Sequence, residues 1–158
     1  MIFIDTSALV KLYLREDGAE TMRAIIASGA HKIFISDHVF LETLATFAYK
    51  LRNQTVNGRR YRRMRSQLFA ELPGGYRFAP VDAAILRRAM ELADIYRALG
   101  VGTVDLIHVA TAERLAVAEG ERPTIVCADR AMRNLAAAAG FGVFNPETDD
   151  PAALVSMN

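Results

Sequence analysis

The stretch "IFIDTSALV" at residues 2–10 decides the fold, because an unbroken apolar run there meets a charged residue. Ile2, Phe3 and Ile4 lack the alternation of a half-exposed strand, and such runs are typical of parallel strands that are covered on both faces. Asp5 then lies at the carboxyl end of a strand, the edge where open α/β sheets bind ligands. A short polar residue at this place also suits helix capping, so both interpretations of Asp5 stay open.

Apolar runs and helical periodicity alternate along the rest of the chain. Strands are predicted at residues 2–5, 32–36, 76–80, 124–129 and 142–145. Helices are predicted at residues 8–15, 18–28, 37–51, 59–72, 82–99, 103–118 and 130–139, with the fourth stopping at "PGG" (73–75). This order predicts a three-layer α/β/α fold with a mostly parallel sheet of about five strands. We expect one domain over residues 1–146 and a C-terminal tail over 147–158 that is loose or stabilised by a partner.

The composition places the chain among intracellular globular proteins. With 158 residues, of which 52% are hydrophobic, it can bury one sizeable core. Cys127 is the only cysteine, which excludes an intrachain disulfide and favours a reducing, cytoplasmic location. The N-terminus has no basic region of a signal peptide, and no apolar stretch approaches the roughly 18 residues of a membrane span. We therefore expect a soluble protein without a membrane partner.

The charge is unevenly distributed. Between Thr43 and Ala70 there is no acidic residue but seven Lys or Arg, and because the whole chain carries +1, the remainder carries −6. Such asymmetry favours a polyanionic partner, although a solvated helix face would look the same. Helical spacing predicts that Arg59, Arg62 and Arg63 share one side and contact a substrate, whereas Arg60 points away from it.

Four acidic residues follow strands or begin helices, at Asp5, Glu42, Asp105 and Asp129. Parallel strands share one carboxyl edge, so these carboxylates could converge. At about 5 Å and an effective dielectric near 20, each pair would repel by roughly 3 kcal/mol, so the group must share protons, recruit basic partners or bind cations. A ligand set made only of oxygen fits Mg²⁺ or Mn²⁺. With arginines nearby, the substrate that best uses such ions is a phosphodiester.

Four segments together resemble a PIN domain, and specifically the small bacterial VapC-type toxins. They are "IFIDTSALVKLYL" (2–14), "ISDHVFLETLATFAYKL" (35–51), "GVGTVDLIHVATAERL" (100–115) and "TIVCADRAMRNLAAAAGFGVFNP" (124–146). The resemblance covers almost the whole chain in order, including D-x-x-H-x-A-T-A and A-D-R-A-M. It implies a metal-dependent endoribonuclease that acts as the toxin of a type II toxin-antitoxin pair.

The resemblance also assigns residues and partners. It implies that Asp5, Glu42, Asp105 and Asp129 are the catalytic, metal-binding acids for Mg²⁺ or Mn²⁺, and that Thr6 or Ser7 supports Asp5 or contacts the scissile phosphate. RNA is the implied substrate, a cognate antitoxin the implied inhibitor, and a homodimer the expected assembly. Apolar faces around Leu9, Leu12 and Tyr13 are candidate receptors for an amphipathic antitoxin segment.

Two other functions compete with this hypothesis. A haloacid-dehalogenase-like phosphatase also begins with a strand ending in Asp, but its chemistry wants a second carboxylate two residues later, where this chain has Ser7. A non-catalytic RNA-binding module with a PIN-like fold would have lost one or more acids, and all four are present. His108, one turn after Asp105, could orient that carboxylate or touch RNA, although simple packing in the core fits its apolar neighbours better.

Overall fold

The sheet is built from short, buried strands, as the apolar runs predict. The computed structural model describes residues 1–155, apart from the side chains of residues 72–74 and 155. Within it, one sheet of five strands has the order β3-β2-β1-β4-β5, and every pairing is parallel. The strands are β1 (Ile2–Ile4), β2 (Ile33–Ser36), β3 (Arg77–Ala79), β4 (Thr124–Val126) and β5 (Val143–Phe144). All the predicted strands are confirmed, each with slightly narrower bounds.

Helices connect these strands. They are α1 (Thr6–Leu9), α2 (Ala19–Ser28), α3 (Asp37–Arg52), α4 (Gly58–Gly75), α5 (Ala83–Ile95), α6 (Thr103–Glu119), α7 (Arg130–Ala138) and α8 (Pro151–Val155), with 3₁₀ turns at Val10–Leu12 and Arg97–Leu99. Across residues 1–155, none of these helices combines the length and the apolar character needed to cross a membrane.

The core has two halves, one on each face of the sheet. On one face, Phe47 of α3 and Leu68 of α4 belong to a cluster with Ile4 of β1, whose register partner Val126 is in the same cluster. On the other face, Leu92 of α5 and Leu135 of α7 pack in a cluster that also holds Ile125 of β4 and Cys127, which follows that strand. The successive residues Ile125 and Val126 belong to opposite clusters, as the pleat requires. The predicted three-layer α/β/α architecture is confirmed.

The strand order creates a switch point between β1 and β4. From β1 the chain moves outward through β2 and β3, and then it returns to the other side of β1 with β4 and β5. Ile4 and Val126 are register partners at the carboxyl ends of these two central strands. Open α/β sheets bind ligands at such a point, because the connections there diverge and leave a crevice. Asp5 and Asp129 follow the two strands that border it.

Four elements differ from the prediction. The helix predicted at 82–99 is α5, which ends at Ile95, and a separate 3₁₀ turn at Arg97–Leu99. The first predicted helix, 8–15, is a short α1 and a 3₁₀ turn that ends at Leu12. Helix α4 does not stop at "PGG" but continues to Gly75, since a proline this close to a helix end removes only one late hydrogen bond. The tail is not loose as far as Val155, because it forms α8 and buries Leu154 to 1% exposure. Residues 156–158 of the predicted tail lie outside the described residues, and the domain boundary at 146 stays a prediction.

Candidate active site

A cleft of about 460 Å³ lies at the switch point of the sheet, and four acidic side chains named from the sequence line it: Asp5, Glu42, Asp105 and Asp129. Asp5 follows β1, Glu42 lies in the second turn of α3, Asp105 in the first turn of α6, and Asp129 immediately before α7. The four elements that carry them are brought together by the parallel sheet, whose strands all end at this edge.

Asp5 both caps a helix and faces the cleft. The residue is only 5% exposed, and its Oδ2 accepts hydrogen bonds from the backbone N of Ser7 at 2.9 Å and from Ser7 Oγ at 2.6 Å. The two interpretations of this residue are therefore compatible, because capping uses Oδ2 and leaves Oδ1 for other contacts.

Ser7 ties the two central strands together at the cleft. Besides donating to Asp5, its Oγ accepts hydrogen bonds from the backbone N of Ala128 at 2.9 Å and of Asp129 at 3.1 Å. Asp129 Oδ1 in turn caps α7 by accepting from the backbone N of Met132 at 2.9 Å. A single hydroxyl thus fixes the positions of Asp5 and Asp129 relative to each other.

Glu42 is held by a hydroxyl and an imidazole. Its Oε2 accepts a hydrogen bond from Thr6 Oγ1 at 2.7 Å and lies 3.0 Å from His108 Nε2. Burial opposes ionisation of Glu42, but the hydrogen bonds from His108 and Thr6 and the positive potential of His108 outweigh it and lower its pKa. Thr6 therefore supports Glu42, and Ser7 supports Asp5.

Asp105 has the opposite electrostatic environment. Its Oδ2 accepts a hydrogen bond from the backbone N of Gly102 at 3.0 Å. Burial raises the pKa of Asp105, the Gly102 N–H partly offsets this, and the negative charges of Asp129 and Asp5 raise it further. The carboxylates of this cleft therefore repel one another across it, as the sequence predicts for an acidic cluster.

His108 takes a role that the sequence did not assign. It is 1% exposed, in keeping with a packed histidine, yet its Nε2 also lies 3.3 Å from Asp5 Oδ1. Because an ionised carboxylate can only accept, Nε2 carries the proton and donates the hydrogen bond to Glu42, with Asp5 beside it at ion-pair distance. Its Nδ1 is buried without a hydrogen-bond partner among the described residues. His108 is thus packed, as favoured from its neighbours, and it also contacts two acids other than Asp105.

Two lysines of the cleft were not predicted either. Lys11 is 4% exposed and forms an ion pair with Glu147 at 2.6 Å, and Lys50 pairs with Glu16 at 2.7 Å. Both lysines line the cleft together with their partners. Their positions on the 3₁₀ turn and on α3 carry no sequence signal that separates them from ordinary surface lysines.

The donor chemistry of the cleft fits a hard divalent cation, but the carboxylates do not form a closed ligand shell. Within residues 1–155, no three His, Cys, Asp or Glu side chains are close enough together to hold a metal ion as they stand. The oxygen-rich set of Asp5, Glu42, Asp105 and Asp129 suits Mg²⁺ or Mn²⁺, and the mutual repulsion at Asp105 would be relieved by a cation. Binding an ion requires that these side chains move closer together.

The predicted arginines lie apart from this cleft. Arg59 and Arg63 line a second cavity, and Arg62 does not. The prediction that Arg60 points away from Arg59 and Arg63 is wrong, because Arg60 lines that cavity beside them. The cavity lies against the first two turns of α4. At this end of the helix, side chains at neighbouring positions such as Arg59 and Arg60 both line it.

Comparison with known proteins identifies the family. The model of the PIN domain matches residues 2–138. The chain belongs to the PIN domain family. Among curated proteins, none matches this chain.

Several solved structures have the same fold over almost their whole length. FitAcB from Neisseria gonorrhoeae superposes with a TM-score of 0.69 at 21% identity, covering 94% of this chain and 100% of that chain. VapC20 from Mycobacterium tuberculosis, described as a sarcin-ricin loop cleaving toxin, gives 0.63 at 22% identity over 89% of this chain and 96% of that one. A toxin-antitoxin complex from Klebsiella pneumoniae gives 0.60 at 16% identity, with 92% and 98% covered. At these identities the likeness establishes the fold.

Proposed function

We propose that this PIN-domain protein is a Mg²⁺- or Mn²⁺-dependent endoribonuclease of the VapC type, the toxin of a type II toxin-antitoxin pair. The observation that carries the proposal is the cleft at the switch point, lined by Asp5, Glu42, Asp105 and Asp129. Similarity in fold to VapC20, a sarcin-ricin loop cleaving toxin, supports RNA as the substrate class.

In this mechanism the four carboxylates would hold the cation, which supplies Lewis-acid chemistry to the phosphodiester and favours hydroxide over water. Ser7 and Thr6 orient Asp5 and Glu42 through the hydrogen bonds described above. Water attacks phosphorus, the P–O bond to the leaving strand breaks, and the departing oxygen takes up a proton. Lys11 and Lys50 line the cleft, and either lysine would contact the phosphate only by leaving its partner, Glu147 or Glu16.

We further propose that an antitoxin binds in an apolar groove that shares no lining residue with the cleft. This groove, of about 540 Å³, runs between the 3₁₀ turn, α2 and α4, with Leu12, Ile26, Ala27 and Ala70 in its walls. Of the three residues expected to receive an antitoxin, Leu9 and Tyr13 are buried in the core, and Leu12 lines the groove. The similar Klebsiella pneumoniae structure is a toxin-antitoxin complex, which supports a protein occupant.

The test uses purified protein and total RNA from the host, incubated with Mn²⁺, with Mg²⁺ or with EDTA, followed by mapping of the new RNA ends. We expect discrete cleavage sites that disappear in EDTA. RNA binding without cleavage under all three conditions would favour the non-catalytic module instead. Co-expression with the product of the neighbouring reading frame tests the antitoxin, and sedimentation of the purified protein tests the predicted homodimer.

A further inference from the structure

A second cavity, of about 410 Å³, is lined by guanidinium groups from three parts of the fold. We call it the arginine cavity. Its basic residues come from the segment before α2, from α2 itself and from the start of α4, namely Arg15, Arg23, Arg59, Arg60 and Arg63. Tyr13 and Met64, both buried, contribute apolar walls. The described lining contains no acidic residue.

Among the described residues, carboxylates lie near the side of the cavity formed by Arg15 and Arg23, where Glu16, Asp17 and Glu20 line an adjoining depression with both arginines. Arg23 pairs with Glu20 on α2. In the described part of the chain, no carboxylate lies within ion-pair distance of Arg15, Arg59, Arg60 or Arg63. The cavity also adjoins the N-terminal end of the 18-residue helix α4, whose cap Asn57 lines it. The positive end of the helix dipole adds to the positive potential of the side chains, so the cavity attracts anions.

One short segment forms a wall of both the arginine cavity and the acidic cleft. Leu14 and Glu16 line the acidic cleft, whereas Tyr13 and Arg15, the alternate residues, line the arginine cavity. The two sites therefore lie on opposite sides of the same few residues. A strand that occupies the cleft would have to pass over this segment to reach the cavity, and the short separation favours the substrate over an unrelated ligand.

We infer that the arginine cavity binds phosphate groups of the RNA strand next to the phosphate that is cleaved, an inference that rests on the proposed function. Planar guanidinium groups pair with phosphate oxygens through two parallel hydrogen bonds, which a bundle of lysines would not provide. The cavity thus supplies the affinity for the strand that the acidic cleft, with its own negative charge, cannot supply. The inferred phosphate-binding set therefore adds Arg15 and Arg60 to the arginines predicted from the sequence, and it excludes Arg62.

The test measures binding of fluorescein-labelled single-stranded RNA of about 16 nucleotides by anisotropy, over a series of salt concentrations. EDTA is present, so binding is measured whether or not the acidic cleft is catalytic. Each lost phosphate contact lowers the slope of log affinity against log salt by roughly 0.7 and weakens binding about fivefold at 0.1 M salt. We expect this for Arg15→Ala, Arg60→Ala and Arg63→Ala.

Two matched controls make the result specific. Arg62→Ala removes an exposed arginine of the same helix that does not line the cavity, and Arg87→Ala removes an exposed arginine of α5. Both should keep the wild-type slope. Unchanged slopes in the three cavity variants, or an equal change in Arg62→Ala, would overturn the inference.

Two further measurements distinguish RNA binding by the cavity from the proposed nuclease function and from antitoxin binding. With Mn²⁺, the cavity variants should raise KM for RNA cleavage and leave kcat within about twofold, because they act on binding of the strand and not on the reacting phosphate. Wild-type protein that binds RNA with the expected salt slope but never cleaves it would contradict the proposed function alone. Cavity variants that keep RNA affinity but lose the co-expressed antitoxin would assign the cavity to a protein partner and overturn the inference.

Discussion

His108 Nε2 lies 3.0 Å from Glu42 Oε2, although the two residues are 66 positions apart in the chain. The same nitrogen lies 3.3 Å from Asp5 Oδ1, so one buried imidazole joins two of the four acids in the cleft. Outer-shell donors of this kind hold ligand carboxylates in a defined orientation. His108 is therefore a positioning residue that acts through Asp5 and Glu42.

We expect His108→Leu to weaken Mn²⁺ binding about 10- to 100-fold, because Glu42 loses its imidazole donor and Asp5 loses the polar group beside it. His108→Gln should retain most of the affinity, since its amide N–H can donate from nearly the same place. Isothermal titration with Mn²⁺ measures this directly. Equal metal affinity in His108→Leu and the wild type would show that the imidazole is only packing.

Ser7→Ala should destabilise the fold as well as the site. The change leaves the backbone N–H groups of Ala128 and Asp129 without their acceptor, and one such loss costs about 1–3 kcal/mol. Urea unfolding measures the free energy of unfolding. The control is Ser66→Ala on the exposed side of α4, which should change it by less than about 0.5 kcal/mol. A stability loss no larger than that of the control would mean that Ser7 does not link the strands.

Asp105→Asn should stabilise the metal-free protein at neutral pH. Burial raises the pKa of Asp105 in the folded state, so the folded protein binds this proton more tightly than the unfolded chain does. Its ionisation costs no stability below the pKa of unfolded Asp, about 3.9, and costs increasingly more as pH rises through the raised pKa. The variant should therefore exceed the wild type at pH 7 in EDTA and match it below about pH 4.

Glu42→Gln should show the opposite sign. Because the pKa of Glu42 is lowered, its ionised form adds stability above the unfolded pKa of about 4.3, and this stability is lost as pH falls through the lowered pKa. Unfolding curves at several pH values, with exposed Asp94→Asn as the control, compare the two variants. The same sign for both would refute the electrostatic description of the cleft.

Gly18 ties the start of α2 to the C-terminal segment. It has φ +81°, and a Cβ built there would lie 2.8 Å from the backbone C and O of Pro146. Gly18→Ala therefore combines left-handed strain, about 1–2 kcal/mol, with a collision against backbone. Gly29→Ala has similar strain at φ +61° but open space around the Cβ. Thermal unfolding should show a clearly larger loss of stability for Gly18→Ala than for Gly29→Ala. Equal losses would mean that the backbone around Pro146 moves aside at little cost in free energy.

The sequence predicts the sheet and the position of the cleft for one physical reason. Unbroken apolar runs such as Ile2–Ile4 identify parallel strands, and polar residues after them must gather at one edge. Asp5 and Asp129 could be placed in this way. Glu42 was harder to place from its sequence position, yet the second turn of α3 still reaches the cleft.

Contacts between distant elements are what the sequence could not predict. The bond from His108 to Glu42 depends on how α6 and α3 pack, and helical spacing within α6 indicated only its neighbour Asp105. The grouping of Arg60 with Arg15 and Arg23 depends on where α4 begins relative to α2. Spacing along one helix predicted a different set, because it contains no information on the partners that close a cavity.

Metal-dependent RNA cleavage by a matched pair of variants tests the proposed nuclease site most directly. Purified wild type, Asp105→Asn in the cleft and Asp94→Asn on the exposed surface of α5 are incubated with RNA and Mn²⁺. We expect that wild type and Asp94→Asn cleave at equal rates, that EDTA abolishes both activities, and that Asp105→Asn loses at least about 100-fold. Undiminished cleavage by Asp105→Asn, or cleavage that persists in EDTA, would contradict a metal-dependent nuclease site at this cleft.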